Sequence, residues 1–194
     1  MSTPKLKVGV LGSTRGTALQ GVLDAIDAGT LQAEIVLVLS DREAAGILDR
    51  ANAHHIPARF ISAKGRVREE YEREVTAAFE QAGAELILMI GFMRIVTEVF
   101  VNAWRGRLLN VHPSLLPLFA GGMNLDVHRA VLESGAAETG CTIHQVTEAV
   151  DAGPILLQKR CPVLPDDTTD TLKERVQALE QQGFVEVLQS WRER

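Results

Sequence analysis

The strongest constraint on the fold is a strand, loop and helix unit that recurs through the first half of the chain. Residues 6–11, "LKVGVL", are apolar, close with the glycine-rich "GSTRGT" and lead into residues 18–29, which have apolar side chains at helical spacing. The same unit recurs three times, with strands predicted at 33–40, 58–62 and 84–92 and helices at 42–55, 67–83 and 97–104. This alternation predicts an α/β fold with a parallel, doubly wound sheet. Apolar runs such as "LILMI" favour strands that helices cover on both faces.

The pattern changes after the strand-like "RLLNV". Residues 119–135 predict a glycine-rich loop followed by a helix, and residues 140–163 predict two strands joined by a turn around Asp151. We expect these two strands to form an antiparallel pair. Residues 166–191 predict a long closing helix capped near Thr168. Its apolar positions are expected to face the sheet: Leu172, Val176, Leu179 and Val187.

Length and composition fit one domain. A chain of 194 residues is long enough to bury a core, so we expect residues 1–194 to form a single Rossmann-like domain with a mostly parallel twisted sheet flanked by helices. The net charge of −5 gives no reason to expect nucleic acid as a partner. No long apolar run suggests a signal peptide or membrane contact, and Cys141 and Cys161 form no CxxC motif. We therefore expect a reduced, cytoplasmic protein.

Three loops, "GSTRGT", "GFMRI" and "NVHPS", follow predicted strands, at the sheet edge where open α/β folds bind ligands. The first loop has neither the GxGxxG spacing of dinucleotide folds nor a P-loop ending, so NAD and ATP are disfavoured. A helix that begins near Gly16 and Thr17 would still offer free N–H groups to a phosphate monoester. A tight turn also needs glycine for steric reasons alone, and both interpretations remain open.

Asn110 and His112 stand at alternating positions of an extended segment, so their side chains leave the same face. An amide donor beside an imidazole suits stabilisation of an oxyanion during acyl-type transfer. The alternative is a strand-end Asn bonded to its own turn above a packed His. Asp151 has two interpretations as well, because it could cap a turn or pair with His112.

The other polar candidates carry less chemistry. His144 and His128 are interpreted as structural residues, and His54 and His55 fall at a helix end where surface positions are usual. Ser114 lacks the GxSxG elbow of a serine hydrolase. With no HExxH motif and no cysteine cluster, we expect no metal.

Several motifs together resemble one enzyme family. "STRGTALQ", "GFMRI", "LLNVHPSLLP", "TEAVDAGPI" and "ERVQALE" are similar to motifs of the phosphoribosylglycinamide formyltransferases, within the folate-dependent formyltransferase superfamily. The resemblance runs from about Val8 to about Trp191. "HPSLLP" belongs to the wider superfamily, whereas the first and last motifs in a chain of this length point to this family.

The resemblance implies that the chain transfers the formyl group of 10-formyltetrahydrofolate, a consumed co-substrate, to the amine of glycinamide ribonucleotide (GAR) in purine biosynthesis. The first half, from about residue 6 to about residue 105, would bind the phosphate of GAR. The second half, from about residue 106 to about residue 191, would contain the catalytic residues and bind the folate. Asn110 and His112 match residues that stabilise the oxyanion, and Asp151 matches the one that orients His112 and assists proton transfer. The sequence leaves open whether the chain is a monomer or a homodimer.

The resemblance further assigns ligand contacts. The residues matched to GAR binding are Gly16, Thr17, Ala18, Arg68, Gln177 and Glu180. The residues matched to folate binding are Met93, Arg94, Ile95, Val96, Asn110, Val146, Thr147 and Glu148. This sequence departs from the family pattern in Ala18, which stands where a polar residue is common, in Leu118, which replaces a commonly basic residue, and in a longer loop at 118–128.

Three other functions would use the same fold. A 10-formyltetrahydrofolate hydrolase would transfer the formyl group to water, and a methionyl-tRNA formyltransferase would transfer it to a charged tRNA. Each usually carries an additional domain, for which a chain of this length is expected to leave no room. A noncatalytic nucleotide- or folate-binding module would need no combination of Asn110, His112 and Asp151.

Overall fold

A seven-stranded sheet forms the centre of the molecule. The computed structural model describes residues 4–122 and 125–193. The strands lie in the order β3-β2-β1-β4-β5-β6-β7. The first five pair in parallel, whereas β6 pairs antiparallel to β5, and β7 antiparallel to β6. The strands are β1 Leu6–Leu11, β2 Ala33–Ser40, β3 Ala58–Phe60, β4 Leu86–Met89, β5 Leu108–His112, β6 Glu138–Gln145 and β7 Ile155–Pro162. The predicted α/β sheet and its antiparallel carboxy-terminal pair are confirmed.

Helices cover both faces of this sheet. They are α1 Thr17–Asp27, α2 Gly46–Ala53, α3 Arg68–Gln81, α4 Glu98–Ala103, α5 Leu125–Glu133 and α6 Thr169–Gln189, with a 3₁₀ turn at Trp191–Glu193. Helix α6 begins as predicted, because Thr168 and Thr171 cap each other's backbone N–H groups reciprocally. Leu172, Val176 and Val187 of α6 are buried, and Leu179 is partly buried.

The alternation of side chains along the strands produces a core on each face. In β4, Leu86 and Leu88 pack with α1, α2 and α6 residues, whereas Ile87 and Met89 pack with α3 and Trp104. A smaller cluster contains Cys141, Cys161 and Val176. Because β4 is buried on both faces, its apolar run needs no polar alternation.

Several predicted elements are shorter in the structure, among them α2, β3 and β4. Helix α2 begins at Gly46 rather than at residue 42, because residues 41–44 form a bend and turn in which the Ala45 N–H donates to the Arg42 carbonyl at 3.3 Å. Strand β3 ends at Phe60. Within the glycine-rich loop at 119–135, residues 123 and 124 lie outside the described residues.

Candidate active site

A cleft lies at the carboxyl ends of the parallel strands, with a cavity volume of about 210 Å³. The chain moves outward from β1 to β2 and β3, then returns to place β4 on the other side of β1. Loops that follow β1 and β4 therefore diverge and leave a crevice, and the end of β5 lies beside it. The topology places the cleft where the sequence predicts it.

The cleft brings together all but one of the sequence-predicted site residues. They reach it from α1, the loop after β4, the end of β5, the turn after β6 and helix α6. The predicted residues that line it are Gly16, Thr17, Ala18, Met93, Arg94, Ile95, Val96, Asn110, His112, Val146, Thr147, Glu148, Asp151, Gln177 and Glu180. Arg68, the first residue of α3, is not among the lining residues. Its contact with GAR stays a prediction.

The amino terminus of α1 opens into this cleft. Gly16 precedes the helix with φ 63°, and no side chain caps the helix start. The first N–H groups of an α-helix have no intrahelical acceptor, so the N–H groups of Thr17 and Ala18 are available to an anion. A Cβ on Gly16 would lie 2.4 Å from the Ile47 Cγ1 atom. Both the backbone angle and the packing against α2 therefore require glycine.

Strand pairing assembles the polar centre of the cleft. Asn110 lies opposite His144 in the antiparallel pair of β5 and β6, and its Nδ2 is 3.3 Å from His144 Nε2. Asp151 enters from the turn between β6 and β7 with a left-handed φ of 51°. Its Oδ2 is 3.2 Å from His112 Nδ1, and its Oδ1 is 3.5 Å from His144 Nε2. One carboxylate thus lies between two buried imidazoles.

The loop after β5 also contacts this centre. His112 Nε2 lies 2.9 Å from the Phe119 carbonyl oxygen, so the ring donates to that oxygen when Nε2 carries the proton. The Gly121 N–H donates to Asp151 Oδ2 at 2.8 Å. Each nitrogen of His112 therefore faces an oxygen. Leu118, the departure from the family pattern, is exposed and does not line the cleft.

Burial and charge set the protonation of these groups. Burial lowers the pKa of His112 below its ordinary value, although Asp151 and the Phe119 carbonyl act in the opposite direction. Burial raises the pKa of Asp151, but hydrogen bonds from His144 and Gly121 and the nearby imidazoles leave that pKa below its ordinary value. Asp151 is consequently a carboxylate at neutral pH.

Two buried groups lie on the side of the cleft formed by α5 and α6. Burial raises the pKa of Glu180 to about 8, with Lys173 acting against it. His128 is 1% exposed, and no residue that the structure describes forms a hydrogen bond with its Nδ1. Burial, then Lys173 and His112, lower the pKa of His128 to about 4. At neutral pH, Glu180 is therefore largely protonated and His128 is neutral.

His144 and His128, which the sequence predicts to be structural residues, both line the cleft. His144 is on a strand that pairs with β5 only through long-range topology, and His128 is on a helix after a glycine-rich loop. A pattern along the chain does not report such proximity. For His144, a usable signal is its place in the run "CTIHQV", which directly precedes the Asp151 turn.

The sequence from residue 6 to residue 188 matches the family model described as formyl transferase. The chain belongs to the formyl transferase family. This formyl transferase is 44% identical over 191 residues to a trifunctional purine biosynthetic protein adenosine-3 of Drosophila pseudoobscura pseudoobscura. That match covers 97% of the present chain but 14% of the relative, so the chain corresponds to one part of that longer protein.

A single-function relative matches over most of both lengths. Phosphoribosylglycinamide formyltransferase of Escherichia coli (strain K12) is 36% identical over 187 residues, which are 96% of this formyl transferase and 86% of the relative. The crystal structure of glycinamide ribonucleotide transformylase 1 from Symbiobacterium toebii superimposes with a TM-score of 0.92 at 36% identity. The superposition covers 97% of this chain and 88% of that chain.

Two features associated with other functions are absent from the described residues. Within residues 4–122 and 125–193, no helix combines the length and hydrophobicity needed to cross a membrane. Over the same ranges, no group of three or more His, Cys, Asp or Glu residues is arranged to hold a metal ion.

Proposed function

We propose that this formyl transferase moves the formyl group of 10-formyltetrahydrofolate to the amine of GAR, giving formyl-GAR and tetrahydrofolate in purine biosynthesis. The observation that carries the proposal is the meeting of Asn110, His112 and Asp151 in one cleft. That cleft lies between the amino terminus of α1, which suits a phosphate, and residues 93–96, which match the pterin-facing segment. The names of the relatives support the same substrates.

The site supports a direct attack of the amine on the formyl carbon. As the carbon becomes tetrahedral, the formyl oxygen gains negative charge, and the Asn110 Nδ2–H group is a neutral donor for it. In its imidazolium form, with the Nδ1–H group donating to Asp151, His112 supplies a second donor through Nε2 once this atom exchanges the Phe119 carbonyl for the formyl oxygen. Asp151 holds the opposite nitrogen and fixes the ring. The attacking amine loses its proton as the C–N bond to the folate breaks, and Asp151 assists the transfer of that proton to the folate nitrogen.

GAR would span the cleft from α1 to α6. Its phosphate would accept hydrogen bonds from the backbone N–H groups of residues 16–18, and its ribose hydroxyls would contact Gln177 and Glu180. Because Glu180 is largely protonated before binding, it could both donate to and accept from a hydroxyl. Arg68, the first residue of α3, is not among the residues that line the cleft, and its side chain would extend toward GAR from the start of that helix.

The folate would occupy the opposite side. Met93, Arg94, Ile95 and Val96 would line its pterin, with Val146 and Thr147 facing them. Glu148 is already paired, since Arg105 Nη2 donates to its Oε1 at 2.5 Å.

The proposed reaction is tested by the absorbance change when the purified protein is mixed with 10-formyltetrahydrofolate, in the presence and in the absence of GAR. We expect tetrahydrofolate to form only with GAR, and formyl-GAR to be the second product. Tetrahydrofolate formed without GAR would identify a hydrolase instead, and no turnover in either case would favour a binding module or another acceptor. Asn110→Ala should lower the transfer rate by roughly 10²–10³, as expected for loss of one oxyanion donor.

We also infer that residues 1–194 form one domain, because one sheet takes β1–β4 from the first half and β5–β7 from the second. The purine-pathway names of the relatives and the net charge of −5 support a cytoplasmic protein that acts on small molecules rather than on nucleic acid. Sedimentation velocity at several concentrations would test whether the chain is a monomer or a homodimer.

A further inference from the structure

Residues 91–97, which include the segment proposed to face the pterin, pack only partly against the core, through Phe92 and Val96. None of these seven residues is fully buried, and Ile95 is 54% exposed. Apart from these two apolar side chains, the backbone of the segment is held by polar groups that lie beneath it.

The first of these groups is a buried hydroxyl and carboxylate pair. The Met93 N–H donates to Ser13 Oγ at 2.9 Å, and Ser13 Oγ donates to Asp41 Oδ1 at 2.6 Å. Ser13 is 3% exposed, and the Asp41 side chain is 7% exposed. A serine hydroxyl has one proton to donate. Because Ser13 donates it in the hydrogen bond to Asp41, a lone pair of Ser13 Oγ is free to accept the Met93 N–H group.

Asp41 also faces the side chain of the same segment. Arg94 Nη1 lies 4.0 Å from Asp41 Oδ2, and the Arg94 guanidinium lies 5.9 Å from the centroid of the Tyr71 ring. The Asp41 carboxylate thus orients the Ser13 hydroxyl and lies next to a cation on the segment. Ser13 further donates its own N–H to the Gly91 carbonyl at 3.1 Å.

The second group holds the other end of the segment. Glu72, on α3 and 3% exposed, accepts the Thr97 N–H at Oε1 over 2.9 Å and the Thr97 hydroxyl at Oε2. Thr97 Oγ1 in turn accepts the Val99 N–H and caps α4. Both carboxylate oxygens are therefore engaged by the residue at which the segment ends.

We propose that Asp41, acting through Ser13, and Glu72 are positioning residues that hold residues 91–97 in the geometry needed to bind the folate. None of the three touches the reacting atoms. Asp41 directly follows β2 and Glu72 lies in the second turn of α3, so the segment is fixed at two independent points. This inference rests on the proposed function, because it assigns the folate to that segment.

The experiment compares Asp41→Ala, Glu72→Ala and Ser13→Ala with the unsubstituted protein. We expect each substitution to raise KM for 10-formyltetrahydrofolate about tenfold, the effect of losing one buried hydrogen bond. KM for GAR should change less than twofold in Asp41→Ala and Glu72→Ala. Asp41→Asn and Glu72→Gln keep an acceptor oxygen, so KM for the folate should return at least partway to the original value.

Glu74→Ala is the matched control, because Glu74 lies on the same helix as Glu72 but forms an exposed pair with Arg66 at 2.7 Å. It should leave both KM values unchanged. Circular dichroism and the thermal midpoint would verify that each variant is folded, and Glu72→Gln and Asp41→Asn serve if an alanine variant does not fold. An unchanged KM for the folate in folded alanine variants, or an equal rise in both KM values, would overturn the assignment.

A binding measurement separates this inference from the proposed function. Calorimetric titration with tetrahydrofolate needs neither GAR nor turnover, and the alanine variants should bind it about tenfold more weakly than the unsubstituted protein and Glu74→Ala. If the unsubstituted protein bound tetrahydrofolate but did not formylate GAR, the proposed function would fail, and the weaker binding by the variants would still support the positioning role. Equal binding by all variants would refute that role alone.

Discussion

Asp151 combines a catalytic assignment with an unusual backbone, and this decides how it should be tested. Its φ of 51° is tolerated by Asp and Asn far better than by most residues, so Asp151→Ala would strain the turn as well as remove the carboxylate. Asp151→Asn keeps the shape and one acceptor oxygen for the Gly121 N–H. We expect near-normal binding of both substrates and a loss of kcat on the order of 10²–10⁴.

Rapid-mixing kinetics and calorimetry would measure the two quantities separately. An Asp151→Asn variant with unchanged turnover would remove Asp151 from the mechanism. A variant that binds neither substrate would instead show that the turn, rather than the charge, is the contribution of this residue.

Glu180 makes stability depend on pH. Its pKa of about 8 in the folded protein lies above the ordinary value of 4.5, so the folded state binds a proton that the unfolded chain has released. The contribution of Glu180 to the free energy of unfolding is therefore highest below pH 4.5. It falls as the pH rises from 4.5 through 8, by up to about 1.4 kcal/mol per pH unit. Glu180→Gln is neutral at every pH and should lack this loss.

Urea unfolding of both proteins without substrates, from pH 5 to pH 9 in steps of about one unit, would measure the difference in unfolding free energy. We expect the Gln variant to gain stability relative to the unsubstituted protein as pH rises. The lowered pKa of His128, about 4, reduces the free energy of unfolding of both proteins on acidification. Because this contribution is the same in both proteins, it cancels from the difference between them. Parallel curves would show that Glu180 is ionised when folded.

Chain order explains which site residues could be identified from the sequence. Asn110 and His112 are two positions apart on one strand, so the alternation of side chains predicts their common face. The motif "TEAVDAGPI" identifies Asp151 as a site residue. No motif identifies His144, which lies beside Asn110 only because β6 pairs antiparallel to β5. Partners joined by strand register cannot be identified from spacing along the chain.

Among the elements, the start of α1 depends most on one residue. Gly16→Ala would place a β-carbon in the left-handed region and against Ile47 of α2, so either the α1 terminus or α2 must move. We expect a loss of unfolding free energy of about 2 kcal/mol or more and a clear rise in KM for GAR, because the N–H groups of residues 17 and 18 would shift.

Gly29→Ala is the matched control for this prediction. Gly29 has a φ of 70° at the other end of α1, but a Cβ there would meet no atom within 4 Å. It should lose only the backbone contribution, about 1 kcal/mol, and leave KM for GAR unchanged. Equal effects of the two substitutions on KM would indicate that the packing of Gly16 against α2 does not position the phosphate site.

The whole molecule should unfold in one step, because both halves share the sheet. Trp104 packs on the face covered by α3 and α4, and Trp191 packs on the opposite face. Each Trp→Phe variant leaves one fluorescent reporter, so one face is observed at a time. We expect the two reporters and circular dichroism to give the same midpoint in urea.

Separate midpoints would contradict a single domain and would show which face unfolds first. The existence of the strands and helices could be predicted from periodicity, whereas their order in the sheet could not. The return of the chain from β3 to β4, which opens the cleft, is set by contacts between residues far apart in sequence. The start of α2, by contrast, is set by the local turn at residues 41–45.

The two ends of the sheet differ in how they resist unwanted self-association. At one end β3 has only three residues, too few to template a long intermolecular ladder. At the other end β7 is eight residues long, but it carries adjacent charges at Lys159 and Arg160 and finishes at Pro162, which has no N–H to donate. Fibril-like stacking of chains through the sheet edges is therefore disfavoured, and a concentrated solution of the protein should stay free of amyloid.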